Sequence, residues 1–231
     1  MTFTIEHQGL RAQVTRKRIK HLYLRVQPPD GRIQISAPMR VSRTYIKAFL
    51  ASKQGWIGQR RALIAQQTSP VKEYVRGEMH SLWGQEYPLQ VLAIPRATQI
   101  TLHNGHIQLR IPVDKSATAR QAAIEKWLRL QLREAAEQRI PVWEERMQVR
   151  VTRLYIRRMR SLWGSCNPRA RSIRINTVLA TLHPSFLEYI LVHEMVHLLE
   201  PSHNRRFYAL MDQYLSDWKS RRKSLKNIHL A

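Results

Sequence analysis

Residues 189–199, Tyr-Ile-Leu-Val-His-Glu-Met-Val-His-Leu-Leu, place two histidines and a glutamate inside an otherwise apolar run. A run this apolar folds as a buried helix, and polar groups buried with it need partners. Four residues of helix advance about 400°, so His193 and His197 project from nearly one face, one turn apart. Two imidazoles so placed can bind one zinc ion at about 2.0–2.1 Å. Glu194 is turned about 100° from His193. It therefore flanks such a metal instead of ligating it, where it can accept a proton from a metal-bound water. Histidines that merely pack on an amphipathic helix would leave these groups without partners.

A catalytic zinc usually takes three protein ligands and keeps one open position. His203, six residues after His197, is the candidate third ligand. A continuous helix would carry it away from the metal, but Pro201 breaks the helix and lets the chain fold back. The spacing is that of H-E-x-x-H-x-x-G-x-x-H, with Glu200 where the glycine would stand. The turn must therefore be built differently. Glu200 is either an alternative ligand or an acceptor for a ligand histidine's second nitrogen. His7, His21, His80, His103, His106, His183 and His229 have no ligand spacing and are expected at the surface or in loops.

The chain has 231 residues, 43% of them apolar, enough for a sizeable core. Its 39 Lys+Arg against 16 Asp+Glu give a formal net charge of +23, which attracts polyanions. Nine arginines fall between Arg146 and Arg174, and no acidic residue occurs between Glu145 and Glu188. A second basic cluster comprises Lys219, Arg221, Arg222, Lys223 and Lys226. The single cysteine, Cys166, excludes an intrachain disulfide and a thiolate zinc cluster, and is expected to be a small packed residue in a turn. The N-terminus shows no signal-peptide pattern, and no stretch approaches the roughly 18–20 apolar residues of a membrane span. A soluble, cytoplasmic chain without a membrane partner is expected.

The first half reads as β-rich. Residues 22–26 and 32–36 alternate apolar and polar side chains around the turn Pro28-Pro29-Asp30-Gly31. Ser42 is expected to cap one helix running to about Leu63. After Pro70, strands near 88–94, 98–103 and 106–112 follow, with Asn104-Gly105 as a hairpin turn. Ser116 then starts a long helix that Pro141 should end or kink. Strands at about 149–156 and 172–178 flank the bend Trp163-Gly164-Ser165-Cys166-Asn167-Pro168, where Trp163 is expected in the core. Pro184 opens the histidine helix, and Ser202 is expected to cap a last one, packed through Phe207, Leu210, Met211 and Tyr214. This is an α+β chain with a change of character near 112–116. The tetrapeptide Ser-Leu-Trp-Gly occurs at 81–84 and 161–164 with unmatched flanks, so it marks no internal repeat.

The set Trp163-Gly164-Ser165-Cys166, Ile173-Arg174-Ile175-Asn176, His193-Glu194-Met195-Val196-His197, and His203 followed by Phe207 resembles the YgjP-like, SprT-like zinc metallopeptidases, a gluzincin-like group. Arg16-Lys17-Arg18, Ile35-Ser36-Ala37-Pro38 and Trp56-Ile57 look like the family's longer bacterial members, while Asn167-Pro168 departs from its usual small polar residue. The resemblance implies a minimal zincin-like catalytic half, 113–231, with the active-site helix under a small twisted sheet. A β-rich accessory half, 1–112, precedes it. It implies one zinc on His193, His197 and His203, with Glu194 as the base that activates zinc-bound water against a peptide carbonyl. Ile173-Arg174-Ile175-Asn176 is either an edge strand for an extended peptide, which makes Arg174 and Asn176 candidate substrate residues, or an ordinary strand of the sheet. Arg205 and Tyr208 are candidate oxyanion donors. Two rivals are a zinc-dependent nucleotide phosphohydrolase, whose arginines would converge on the metal, and a DNA-associated protease localised by its basic surface.

Overall fold

The computed structural model describes residues 2–27, 30–67, 72–228 and 230. They fall into two compact units, Met1–Lys72 and Glu73–Leu230.

In the first unit, β1 (Thr2–His7), β2 (Leu10–Lys17), β3 (Tyr23–Gln27) and β4 (Arg32–Pro38) form a sheet of order β1-β2-β4-β3. The expected hairpin is β3 and β4, paired antiparallel from Tyr23 opposite Ser36 to Gln27 opposite Arg32. Pro28 and Pro29 of its turn lie outside the described residues, as do Pro70 and His229. Alternation works as expected on this sheet: Ile33, Ile35 and Ala37 are buried while Arg32 is exposed. Ser42 does cap a helix, its hydroxyl accepting from Tyr45 N–H at 3.1 Å. The expected single helix is two, α1 (Arg43–Ser52) and α2 (Gln54–Gln67), broken at Lys53. Ile46, Leu50, Ile57 and Ile64 close the core over the sheet, each such burial being worth about 1.5–3 kcal/mol.

The second unit opens with a sheet of order β5-β6-β8-β7, built from β5 (Met79–Leu82), β6 (Gln85–Ala93), β7 (Gln99–His103) and β8 (His106–Ile111). Helix α3 (Ala117–Met147), capped by Ser116, is about 46 Å long. Its first half buries Ile124 and Trp127 with that sheet. Its second half buries Leu132, Ala136, Ile140, Trp143 and Met147 in a different core, with the histidine helix. The compact unit therefore begins at Glu73, whereas the composition changes near 112. Pro141 does not end α3. It removes one backbone donor, and Ile140 and Trp143, buried on either side of it, hold the helix to the core.

Strands β9 (Arg153–Arg157), β10 (Gly164–Asn167) and β11 (Ser172–Asn176) make a three-stranded sheet of order β10-β11-β9. A 3-10 turn at Thr177–Thr181 leads to α4 (Pro184–Val196), then α5 (Arg205–Tyr214) and α6 (Trp218–Lys226). Ile156, Ile173 and Ile175 share the sheet face that packs on α4. Arg153, Arg157 and Arg174 are exposed on the alternate positions, and all nine arginines of 146–174 are exposed. Among the described residues no helix is long and apolar enough to cross a membrane.

Candidate metal centre

Helix α4 starts where Pro184 takes the first helical position and His183 Nδ1 accepts from Ser185 N–H at 3.3 Å. Leu187, Ile190, Leu191, Val192, Met195 and Val196 are buried around it, as expected of a helix apolar on all sides. Its last turn tightens, with Leu199 N–H donating to Val196 O and Glu200 N–H to the same oxygen, each at 2.9 Å. The chain reverses through Pro201, and Asn204, not Ser202, caps α5 by accepting from Phe207 N–H at 3.0 Å.

This reversal brings His203 back onto His193 and His197. One ligand atom from each of the three lies within 4.8 Å of the others. His193 Nε2 and His203 Nε2 are 3.1 Å apart. Two nitrogens on one tetrahedral zinc at about 2.0–2.1 Å would stand about 3.4 Å apart, so the set fits a zinc ion. His197 donates from Nδ1 to the backbone oxygen of Glu200 at 3.2 Å, which leaves Nε2 its lone pair for a metal. The acceptor that Glu200 supplies to His197 is its backbone carbonyl. Its carboxylate accepts from Ser202 N–H at 3.2 Å and so braces the turn that a glycine would otherwise build.

Phe207 is the floor of the cluster. It is fully buried, with ring centroids 5.0, 4.7 and 4.6 Å from those of His193, His197 and His203. Burial first, then the neighbouring imidazoles and Arg222, push the His193 pKa down to about 3, and burial likewise lowers that of His197. Both rings are therefore held neutral at pH 7, the form that binds metal.

Glu194 is buried, and burial raises its pKa to about 8 in the metal-free chain. A nearby cation would act in the opposite direction. Gly164 lies directly against it: a Cβ at 164 would meet Glu194 Oε1 at 2.5 Å and Ile190 Cγ2 at 2.8 Å. Cys166, on the same face of β10, is half-buried against the core. Burial, and then the Glu194 charge, push its thiol up to about 12. Trp163 is likewise half-buried, packed against the core at the rim of a cavity beside His193 and Glu194.

Of the two readings of 173–176, the edge strand is corrected and the ordinary sheet strand is what the structure shows. β11 is the central strand, antiparallel to β10 and parallel to β9, so both its edges are already hydrogen-bonded. Asn176 is fully buried and structural. Its amide donates to Met159 O and Leu162 O, each at 2.8 Å, and its oxygen accepts from Val178 N–H. It thereby fixes the loop that delivers Gly164. Arg174 is exposed on the face away from α4. Tyr208 stacks beside His203, with centroids 6.4 Å apart, and on Trp218 at 5.6 Å. Arg205 is exposed at the start of α5, and no hydrogen bond, ion pair or ring contact joins it to the three imidazoles. His80, expected in a loop, is buried on β5 and lies 2.9 Å from Glu78. Tyr189 was not singled out from the sequence, although it precedes His193 by one turn. Its ring meets His193 edge-on at 6.0 Å.

Three imidazoles close enough to share one metal ion, with the buried Glu194 carboxylate next to His193 in sequence, make a candidate metal centre on an α+β scaffold. A family model described as YgjP-like, metallopeptidase domain, matches residues 20–228, and the chain belongs to that family. Membership implies a metal, usually zinc, and action on peptide or protein substrates. No curated protein matches the sequence significantly. Among solved structures, the metallopeptidase zymogen of Pyrococcus abyssi abylysin is similar over 43% of this chain and 99% of that one, with 14% identity and a TM-score of 0.35. The zymogen of Methanocaldococcus jannaschii jannalysin is similar over 41% and 91%, with 20% identity and a TM-score of 0.33.

Proposed function

We propose that the chain is a zinc metallopeptidase in which His193, His197 and His203 hold one zinc ion and Glu194 is the general base. The observation that carries this reading is the convergence of the three imidazoles next to a buried carboxylate for which Gly164 leaves room. A zinc ion bound there supplies Lewis acidity that polarises a carbonyl and acidifies water. Glu194 takes the proton of the attacking water on its carboxylate and returns it to the leaving amine. Gly164, having no side chain, leaves the room that this carboxylate occupies, and Phe207 packs against all three rings. β10 pairs only with β11 among the described strands, so its other edge is where an extended peptide would add beside Glu194. In this reading residues 113–231 carry catalysis and 1–112 are accessory.

The nucleotide reading calls for arginines converging on the histidines. Arg222 shares a cavity wall with His193 and Glu194, whereas Arg153, Arg157 and Arg174 lie on the far face of the sheet, a surface suited to holding the enzyme near a polyanion such as nucleic acid. The test is turnover of a casein-peptide panel and a nucleoside triphosphate panel by zinc-loaded wild type and Glu194→Gln. Peptide cleavage that falls about 10²–10⁴-fold in Glu194→Gln is expected. Triphosphate cleavage without peptide cleavage would overturn the proposal.

A further inference from the structure

The C-terminal basic cluster divides sharply between neighbours. Arg221 is fully engaged: it pairs with Glu188 and Asp217, each at 2.8 Å, and donates to Ser185 O at 3.0 Å, which pins α6 to α4. Arg222, the next residue, is exposed and forms no ion pair among the described residues, and the same holds for Lys226 one turn on. Both line a cavity of about 260 Å3 that has His193 and Glu194 in its wall. Its other surfaces include Leu162, Trp163, Tyr189 and Leu225. A second hollow of about 230 Å3 shares Arg222 and Lys226 and adds Trp218, Lys219 and Lys223.

We infer that this strip along α6 selects acidic peptides, with Arg222 and Lys226 receiving a substrate carboxylate in the cavity next to Glu194. Two cations without ion pairs, Arg222 lying over the Trp218 ring at 5.8 Å, at the mouth of a partly apolar cavity favour an anion with a hydrocarbon stem, such as a glutamate side chain or a chain-terminal carboxylate. Each hollow is smaller than the roughly 300–1,000 Å3 typical of drug-sized ligands. A row of small hollows suits successive side chains of an extended chain better than one compact nucleotide. The inference rests on the peptidase reading and names the substrate class for that site.

The test is binding of fluorescein-labelled decapeptides to zinc-loaded Glu194→Gln, followed by anisotropy so that no turnover is needed. An Asp/Glu-containing peptide is compared with its Asn/Gln counterpart and with a Lys/Arg one. Acidic peptide should bind about tenfold more tightly than its amide counterpart, with the difference shrinking as salt rises. Arg222→Gln with Lys226→Gln should abolish the preference, and Arg222→Glu should shift it towards the basic peptide, a gain that misfolding cannot produce. Arg153→Gln with Arg174→Gln, on the far sheet face, should leave it unchanged. A preference that survives the Arg222/Lys226 double variant, or disappears in the sheet-face variant, overturns the inference. Displacement of acidic peptide by a nucleoside triphosphate that binds more tightly through Arg222 also overturns it, and assigns the site to phosphate. If wild type cleaves no peptide while the Arg222-dependent preference persists, the peptidase reading fails and the anion site stands.

Discussion

The same tetrapeptide, Ser-Leu-Trp-Gly, meets α4 at both ends and does a different job at each. At 81–84 it turns β5 into β6, with Trp83 and Gly84 both in the left-handed region at φ 53° and 80°. Trp83 N–H donates to Ala180 O at 2.8 Å, and a Cβ on Gly84 would stand 3.1 Å from the His183 backbone nitrogen. At 161–164 the glycine begins β10, and what leaves no room for a side chain is Glu194. One glycine is demanded by backbone conformation at the start of the helix, the other by a functional side chain near its end. What a short motif means is set by what it packs against.

That contrast predicts a graded set of effects. Gly164→Ala forces the Glu194 carboxylate aside, and a displacement of about 1 Å costs on the order of 10²-fold in rate. Peptide turnover should fall by that factor while elemental analysis still finds zinc. Loss of zinc with turnover would mean that 164 supports the whole centre and not Glu194 alone. Gly84→Ala should act on stability, by about 1–3 kcal/mol for a side chain at positive φ. Thermal or urea unfolding would measure it, with the turnover of the folded fraction kept. Equal loss of turnover in both variants would erase the distinction. Cys166, two residues beyond Gly164 on the same strand face, should be the least consequential. With its thiol pushed up to about 12, the native protein at pH 8 should react slowly with iodoacetamide. The rate should rise about tenfold per pH unit, as expected of a group still below its pKa. Rapid labelling at pH 8 would place the thiolate, and hence the β10 surface, in solvent.

The histidine cluster was legible because helix geometry is local: H-E-x-x-H fixes His193, Glu194 and His197 on neighbouring faces, and Pro201 announces the return of His203. Strand order was not legible, because alternation reports which face is buried and says nothing about which edge is free. Ile173 and Ile175 read as a strand correctly, but whether it lay at the edge stayed open, since β10 is only four residues long and its pattern, Gly-Ser-Cys-Asn, has no apolar alternation. Asn176 gave no sign that its amide would be spent on Met159 and Leu162, contacts 14–17 residues away in sequence. Arg222 was visible as charge, but its place beside His193 depends on the Arg221 anchor to Glu188, a contact 33 residues apart in sequence.

Zinc stoichiometry tests the central claim most directly. Wild type and His203→Ala would be loaded with zinc, dialysed and measured by elemental analysis. The convergence of His203 with His193 and His197 predicts close to one zinc per chain in wild type, and its loss in a folded His203→Ala variant. Equal zinc in both proteins, or none in wild type under any loading condition, would contradict a three-histidine metal centre.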